Sequence, residues 1–172
     1  MGRPTDPLRE DHDHLGPHIQ HLEATAGALQ ELSFDEIRRA LREAHAFLTG
    51  HVLPHAETEE AVIYPAVARA LHSPQATATM IRDHAEIEKL TSELEALRER
   101  LDEPMTDAHQ GRALRVAITR VLYSLHAILA LHIAKEEELY LPLLDRRLTP
   151  TEAAVLIAKV REAAGESGRL VA

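Results

Sequence analysis

The chain of 172 residues has no cysteine and no tryptophan, and only 3% of it is aromatic. Without cysteine there can be no disulfide, no thiolate zinc site, no iron–sulfur cluster and no cysteine nucleophile. Acidic residues outnumber basic ones, 28 to 19, for a formal net charge of −9. An acidic chain with few rings lacks the basic patch and stacking platforms of a nucleic-acid surface, so no nucleic-acid partner is expected. The seven glycines are scattered and build no loop that could cradle a phosphate. Met1–Glu10 is polar and has no apolar signal-peptide core. No run comes near the roughly 18 apolar residues of a membrane span. These absences lead to the expectation of a soluble cytoplasmic protein with no membrane partner; its oligomeric state stays open.

What the chain has in excess is histidine, 12 residues in all. The surrounding sequence reads helical nearly throughout: Ala, Leu, Glu and Arg dominate and β-branched runs are absent. Ser33-Phe34-Asp35-Glu36 and Thr149-Pro150-Thr151-Glu152 are capping boxes, Ser73-Pro74 marks another helix start, and Glu103–Asp107 reads as a turn. The expected helices are A at 6–31, B at 34–71, C at 74–102, D at 107–147 and a short E at 150–164, with a frayed tail from Gly165. Four long helices with short connections predict an all-α, up-down-up-down four-helix bundle over residues 1–148, followed by a short C-terminal helix over 149–172.

Each helix carries a core stripe with alternating steps of three and four. In A it runs Leu8, His12, Leu15, Ile19, Leu22, Ala26, Leu29. In B it runs Ile37, Leu41, Ala44, Leu48, His51, His55, Glu59, Val62. In C it includes Met80, His84, Ile87, Thr91, Leu94 and Leu101. In D it includes Leu114, Ile118, Val121, Leu125, Ile128, His132, Glu136, Leu139 and Leu143. Histidines thus occupy positions meant for apolar side chains.

The chain also repeats itself. His55–Pro65 aligns without gaps on His132–Pro142, sharing His-x-x-x-Glu-Glu and a proline ten residues after the histidine. Asp11-His12 in A matches Asp83-His84 in C. The halves are two helical hairpins. His12 and His55 are symmetric about the Ser33 turn, and His84 and His132 about the Asp107 turn, so each pair should face at the same depth.

Residues four apart on a helix share a face about 6 Å apart. His55 with Glu59, and His132 with Glu136, can each turn an imidazole nitrogen and a carboxylate to one point. A carboxylate can bridge two metal ions about 3.5–4 Å apart. Four histidines and two bridging carboxylates in a bundle core suit iron. Any one of these residues alone reads as a hydrogen-bonded core histidine or a solvated glutamate. Six of them, duplicated at equal depth, need a compensating cation, because a buried unpaired charge costs several kcal/mol.

Other residues carry weaker signals. His18, in Pro17-His18, rivals His12 as the helix A ligand, since it resembles Pro54-His55; His12 is preferred. His18 and His51 are weaker metal candidates that could face each other, without counterparts in the second hairpin. His14, His21, His45, His72, His109 and His126 read as surface or boundary residues. Glu60 and Glu137 could accept from the ligand imidazoles or lie in solvent. Tyr64 and Tyr140 could fill the core or hydrogen-bond a group bound at the metals. Pro17, Pro54, Pro65 and Pro142 fall within helices and predict either local widening around the site or true breaks.

A histidine in A, His-x-x-x-Glu in B, a histidine in C and His-x-x-x-Glu in D resemble the hemerythrin-like, HHE cation-binding domain family over about residues 8–145. His55–Pro65 and Glu136–Pro142 look like its bacterial branch. The resemblance implies a non-haem centre of two iron ions with a bridging oxo or hydroxo group, held by His12, His55, Glu59, His84, His132 and Glu136. Oxygen-carrying members have a second histidine on helix C and an aspartate on helix D; here Glu88 lies one turn after His84. The more carboxylate-rich set implies chemistry with oxygen, peroxide or nitric oxide rather than reversible carriage. Three functions follow: a protein that binds or senses such a small ligand or handles iron under stress, a di-iron enzyme with catalase-like or oxidase activity, or a metal-free helical interaction module. Ferritin-like di-iron proteins use Glu-x-x-His and zinc proteases His-Glu-x-x-His, and neither pattern occurs in this chain.

Overall fold

A computed structural model describes residues 3–104 and 107–166. All regular structure among them is helical. The first hairpin holds α1 (Asp6–Ala28), α2 (Phe34–Phe47), α3 (Leu53–Thr58) and α4 (Tyr64–Ala70). The second holds α5 (Ala78–Asp102), α6 (Ala108–Lys135) and α7 (Leu141–Arg147), and α8 (Pro150–Glu166) closes the chain. Helix α6 packs against α1 and α5, and α2 packs against α5 and α1, so the four arms form a closed square.

Local chemistry explains the ends. The Ser33 hydroxyl accepts from the Glu36 backbone N–H at 3.3 Å, and the Glu36 carboxylate accepts from the Ser33 backbone at 2.7 Å. Thr149 and Glu152 repeat that box at α8, and Asp107 caps α6 through Gln110. Helix α5 starts at Ala78, four residues later than the Ser73-Pro74 signal suggests. The intervening residues make three-residue turns, with Ala76 N–H on the Ser73 carbonyl and Ala78 N–H on that of Gln75. Before them, His72 has φ 50° and closes α4 in a Schellman motif, with Ser73 N–H on the Ala68 carbonyl at 3.0 Å. Gly165 and Glu166 belong to α8 rather than to a tail. Met105 and Thr106 of the expected turn, and Ser167–Ala172, lie outside the described residues.

The second and fourth arms are continuous but not uniformly α-helical. Three five-residue π-turns interrupt them, Leu48–Val52, Glu59–Ile63 and Glu136–Tyr140. In each, the carbonyl of the first residue accepts from the N–H five residues on: Leu48 from Leu53, Glu59 from Tyr64, Glu136 from Leu141. Each is followed, one residue further on, by a proline, Pro54, Pro65 or Pro142. A proline has no N–H and its ring collides with the carbonyl four residues back, and the wider turn relieves both problems. Widening, not breakage, is therefore the outcome at these three sites.

A π-turn holds one residue more than an α-turn, so the core stripe slips by one position after it. Beyond Glu59 the buried side chains are Ile63, Tyr64, Ala66 and Val67, with Val62 only partly covered. Beyond Glu136 they are Leu141 and Leu144, while Leu139 is 59% exposed. His51 fails for the same reason: within Leu48–Val52 the buried residues are Leu48 and Val52.

The apolar interior is divided. One cluster, with Leu22, Leu41, Leu94 and Ile118 among its members, fills the end near the Ser33 and Asp107 turns. A second, around Leu8, Ile63, Val67, Met80 and Leu144, fills the opposite end and takes in Leu156 and Val160 of α8. Between them lies a polar layer of buried His12, Glu59, His84, His132 and Glu136.

Ala108–Arg147 is long and apolar enough, by length and composition, to cross a membrane, which corrects the expectation that no stretch comes near this. No Asp, Glu, Lys or Arg occurs between Arg120 and Lys135, so the average there is apolar although Ser124, His126 and His132 interrupt the run. In the bundle it buries Leu114, Ile118 and Leu125, and exposes Val116, Tyr123 and Leu131.

Candidate metal centre

Two donor groups occur side by side in the polar layer. His12, His55, Glu59 and Glu136 each offer an atom within 4.8 Å of the others, and so do Glu59, His84 and His132. Glu59 belongs to both. Its Oε1 lies 3.0 Å from His55 Nε2 and 3.8 Å from His12 Nε2; its Oε2 lies 3.3 Å from His84 Nε2 and 3.6 Å from His132 Nε2. Glu136 also reaches both sides, with Oε2 3.3 Å from His12 Nε2 and Oε1 3.7 Å from His132 Nε2. Symmetry about each turn pairs the rings: His12 and His55 have centroids 5.2 Å apart, His84 and His132 4.6 Å.

The other nitrogen of every one of these rings meets a carboxylate on the neighbouring arm. Asp11 accepts from His55 Nδ1 at 2.5 Å, Glu60 from His84 at 2.8 Å, Asp83 from His132 at 3.3 Å and Glu137 from His12 at 2.6 Å. The four bonds run once around the bundle, from the first arm to the second, third, fourth and back. A carboxylate only accepts, so each Nδ1 carries the hydrogen and each Nε2 turns inward. Glu60 and Glu137 were legible as candidates for this role. Asp11 and Asp83 were missed, although their repetition beside His12 and His84 was the available signal. Arg9 lies 3.2 Å from Glu137, and Lys135 bonds Asp83.

Burial alone would hold the imidazoles neutral. Against it, Glu136 and Glu59 push His12 up to about 10 from its ordinary 6.5. His55 is raised against burial by Glu59 and Asp11, and His84 by Glu59 and Glu60. Glu59 is held well below the carboxylate range, despite its burial, by His55, His12 and His132. Glu136 goes the other way, raised by burial and by the charge of Glu59.

This arrangement fits a metal pair. His12 Nε2, His55 Nε2, Glu59 Oε2 and Glu136 Oε2 are buried and make no hydrogen bond. Their close approaches are misangled for one another, as lone pairs converging on a common point would be. His84 and His132 bring their Nε2 atoms to 3.0 Å; two lone pairs there repel unless a proton or a cation intervenes. Six carboxylates (Asp11, Glu59, Glu60, Asp83, Glu136 and Glu137) face two cations, Arg9 and Lys135. Arg9 is shared with Asp145, 3.0 Å away, so with neutral imidazoles the carboxylates outnumber the cations here, an excess that bound metal cations would offset.

Tyr64 and Tyr140 differ. The Tyr64 hydroxyl donates to Glu136 Oε1 at 3.0 Å and lies 3.2 Å and 3.3 Å from the Nε2 atoms of His84 and His132. Burial, Glu59 and Glu136 all raise this phenol far above its ordinary range, so it keeps its proton. Tyr140 instead donates to the Ala76 carbonyl at 3.0 Å.

His18 and His51, expected as weaker metal candidates, are not brought to the centre and hold no metal position there. Both are exposed and stack on Phe47, at 4.9 Å and 6.2 Å between centroids. Six residues at about 100° each turn His18 some 120° away from the His12 direction, and the π-turn turns His51 outward. Glu88 is exposed too, as are His14, His21, His72 and His109; His45 and His126 lie at the boundary, near Glu95 and Glu23.

Comparison with curated proteins and with solved structures returned no significant match. The family model described as the hemerythrin HHE cation binding domain matches residues 3–144, which include the whole polar layer. With the helical bundle and the clustered His and Glu donors, this makes the chain a metal-binding member of the hemerythrin HHE cation-binding family.

Proposed function

We propose that the chain is a non-haem di-iron protein whose partner is a small ligand: oxygen, peroxide or nitric oxide. One iron would be held by His12, His55, Glu59 and Glu136, the other by Glu59, His84 and His132, with Glu136 reaching toward both. The observation that carries this reading is Glu59, whose two oxygens serve both donor groups. The donor set is imidazole and carboxylate without thiolate, which suits iron. The excess of carboxylates over cations around the layer supports a cationic core there. Bound iron would supply small-ligand and one-electron chemistry there.

The protein's own groups do the rest. The carboxylate ring orients the imidazoles, and the apolar clusters on both sides exclude water. Tyr64 holds a proton at the His84 and His132 side. That phenol also favours a second reading, peroxide decomposition, in which its O–H would donate a hydrogen bond to the bound ligand.

Metal analysis and spectroscopy of the purified protein test both. Two irons per chain and a near-ultraviolet band that shifts with oxygen, peroxide or nitric oxide are expected. Protein that takes up no stoichiometric transition metal would overturn the reading in favour of a metal-free interaction module. Oxygen release from peroxide ranks the enzymatic reading against simple binding.

A further inference from the structure

Outside the metal centre, three chain segments converge on a cavity of about 480 Å3. They are the end of α4, the end of α7 and the first turns of α8. Arg69, Arg147 and Lys159, one from each segment, line it. None of the three has an acidic partner among the described residues, in a chain whose net charge is −9. His72, held at its positive φ by the Schellman motif, adds an imidazole to the same wall.

The one acid in the lining is Glu152. Its carboxylate is engaged by the Thr149 backbone N–H at 2.8 Å and by the Thr149 hydroxyl at 2.7 Å, which also hold it below its ordinary range. It caps α8 rather than neutralising the cations. Arg69 and Arg147 sit near the ends of their helices, where the dipole favours positive charge. Lys159 lies within α8, so the dipole does not explain its joining them.

Apart from Thr151, the rest of the lining is apolar. Ala66 and Leu156 are buried, Leu148 is partly buried, and Val155 is half exposed. A water occupies about 30 Å3, so the space far exceeds a bare ion and falls in the size range of small-molecule sites. Cations from three segments over an apolar floor match a ligand with an anionic head and an apolar body.

We propose that this cavity binds a small organic carboxylate, its head against Arg69, Arg147 and Lys159 and its body on Ala66, Leu148 and Leu156. The proposal is independent of which metal fills the centre.

Isothermal titration of the full chain with octanoate, octanol and inorganic phosphate tests it. Octanoate is expected to bind once per chain, and more weakly as sodium chloride is raised. In the double variant Arg147→Gln, Lys159→Gln, whose exposed positions leave the fold intact, octanoate should bind at least tenfold more weakly with an unchanged circular dichroism spectrum. Arg69→Gln provides a second, separate reading of the same effect. Equal binding of octanol removes the role of the charges and overturns the proposal. Equal binding of phosphate removes the role of the apolar floor and overturns it too. Unaltered octanoate binding in both variants, or cosedimentation with phosphatidylglycerol vesicles without any octanoate binding, does the same.

Discussion

Tyr64 and Tyr140 stand one residue out of register in the repeat, and that residue separates a hydroxyl inside the metal centre from one outside it. Aligning His55–Pro65 on His132–Pro142 puts Tyr64 opposite Leu141, and Tyr140 opposite Ile63. Tyr64 and Leu141 are both 2% exposed. The centre is therefore lopsided: a phenol stands at one place where the repeat supplies a leucine at the other. Tyr64→Phe should shift the absorption spectrum of the iron-loaded protein and its response to peroxide. Tyr140→Phe should leave that spectrum alone and cost about 0.5–1.5 kcal/mol of stability, the worth of its bond to the Ala76 carbonyl. Matching spectra for wild type and Tyr64→Phe would contradict the asymmetry.

The two carboxylates at the centre are unequal. Glu59 belongs to both donor groups, Glu136 to one. Glu59→Ala is expected to abolish occupancy of both sites. Glu136→Ala should retain about one metal per chain, on Glu59, His84 and His132. Metal-to-protein ratios after dialysis decide this, and two metals retained by Glu59→Ala would refute the assignment.

The carboxylate ring should matter for affinity. Asp11→Asn and Glu137→Gln weaken the hold on His55 and His12 without removing a donor atom. Loss of such an outer partner typically lowers metal affinity by about 10–100-fold. Chelator competition measures it; affinities equal to wild type in both variants would show that the ring is only structural.

Metal and protons compete for the same imidazoles. His12 is raised from 6.5 to about 10 in the metal-free protein, where Glu136 and Glu59 favour its charged form against burial. A group raised on folding contributes stability that is full below the unfolded value and is lost as pH rises through the folded one. The metal-free chain should therefore melt at progressively lower temperature between about pH 6.5 and 10. Metal binding needs neutral imidazole, so loading should release protons and tighten with rising pH over the same window. A metal-free melting temperature that climbs across that range would contradict the assignment of charge.

Much of this centre was legible in the residues themselves. Helix formers, capping boxes and steps of three and four define which residues share a face, because an α-helix turns a fixed angle per residue. A gap-free repeat then makes His12, His55, Glu59, His84, His132 and Glu136 stand out as a set. Tertiary structure decided the rest. The π-turns before Pro54, Pro65 and Pro142 add a residue to a turn, which turns His51 and Leu139 outward and Tyr64 inward. The partners of the imidazoles, Asp11 on His55 and Asp83 on His132 among them, come from different arms, and spacing within one helix says nothing of its neighbour's height or rotation. The cavity between α4, α7 and α8 joins Arg69 to Lys159 in the same way. Periodicity is a local property of the backbone, whereas a binding site belongs to several segments at once and exists only when they pack.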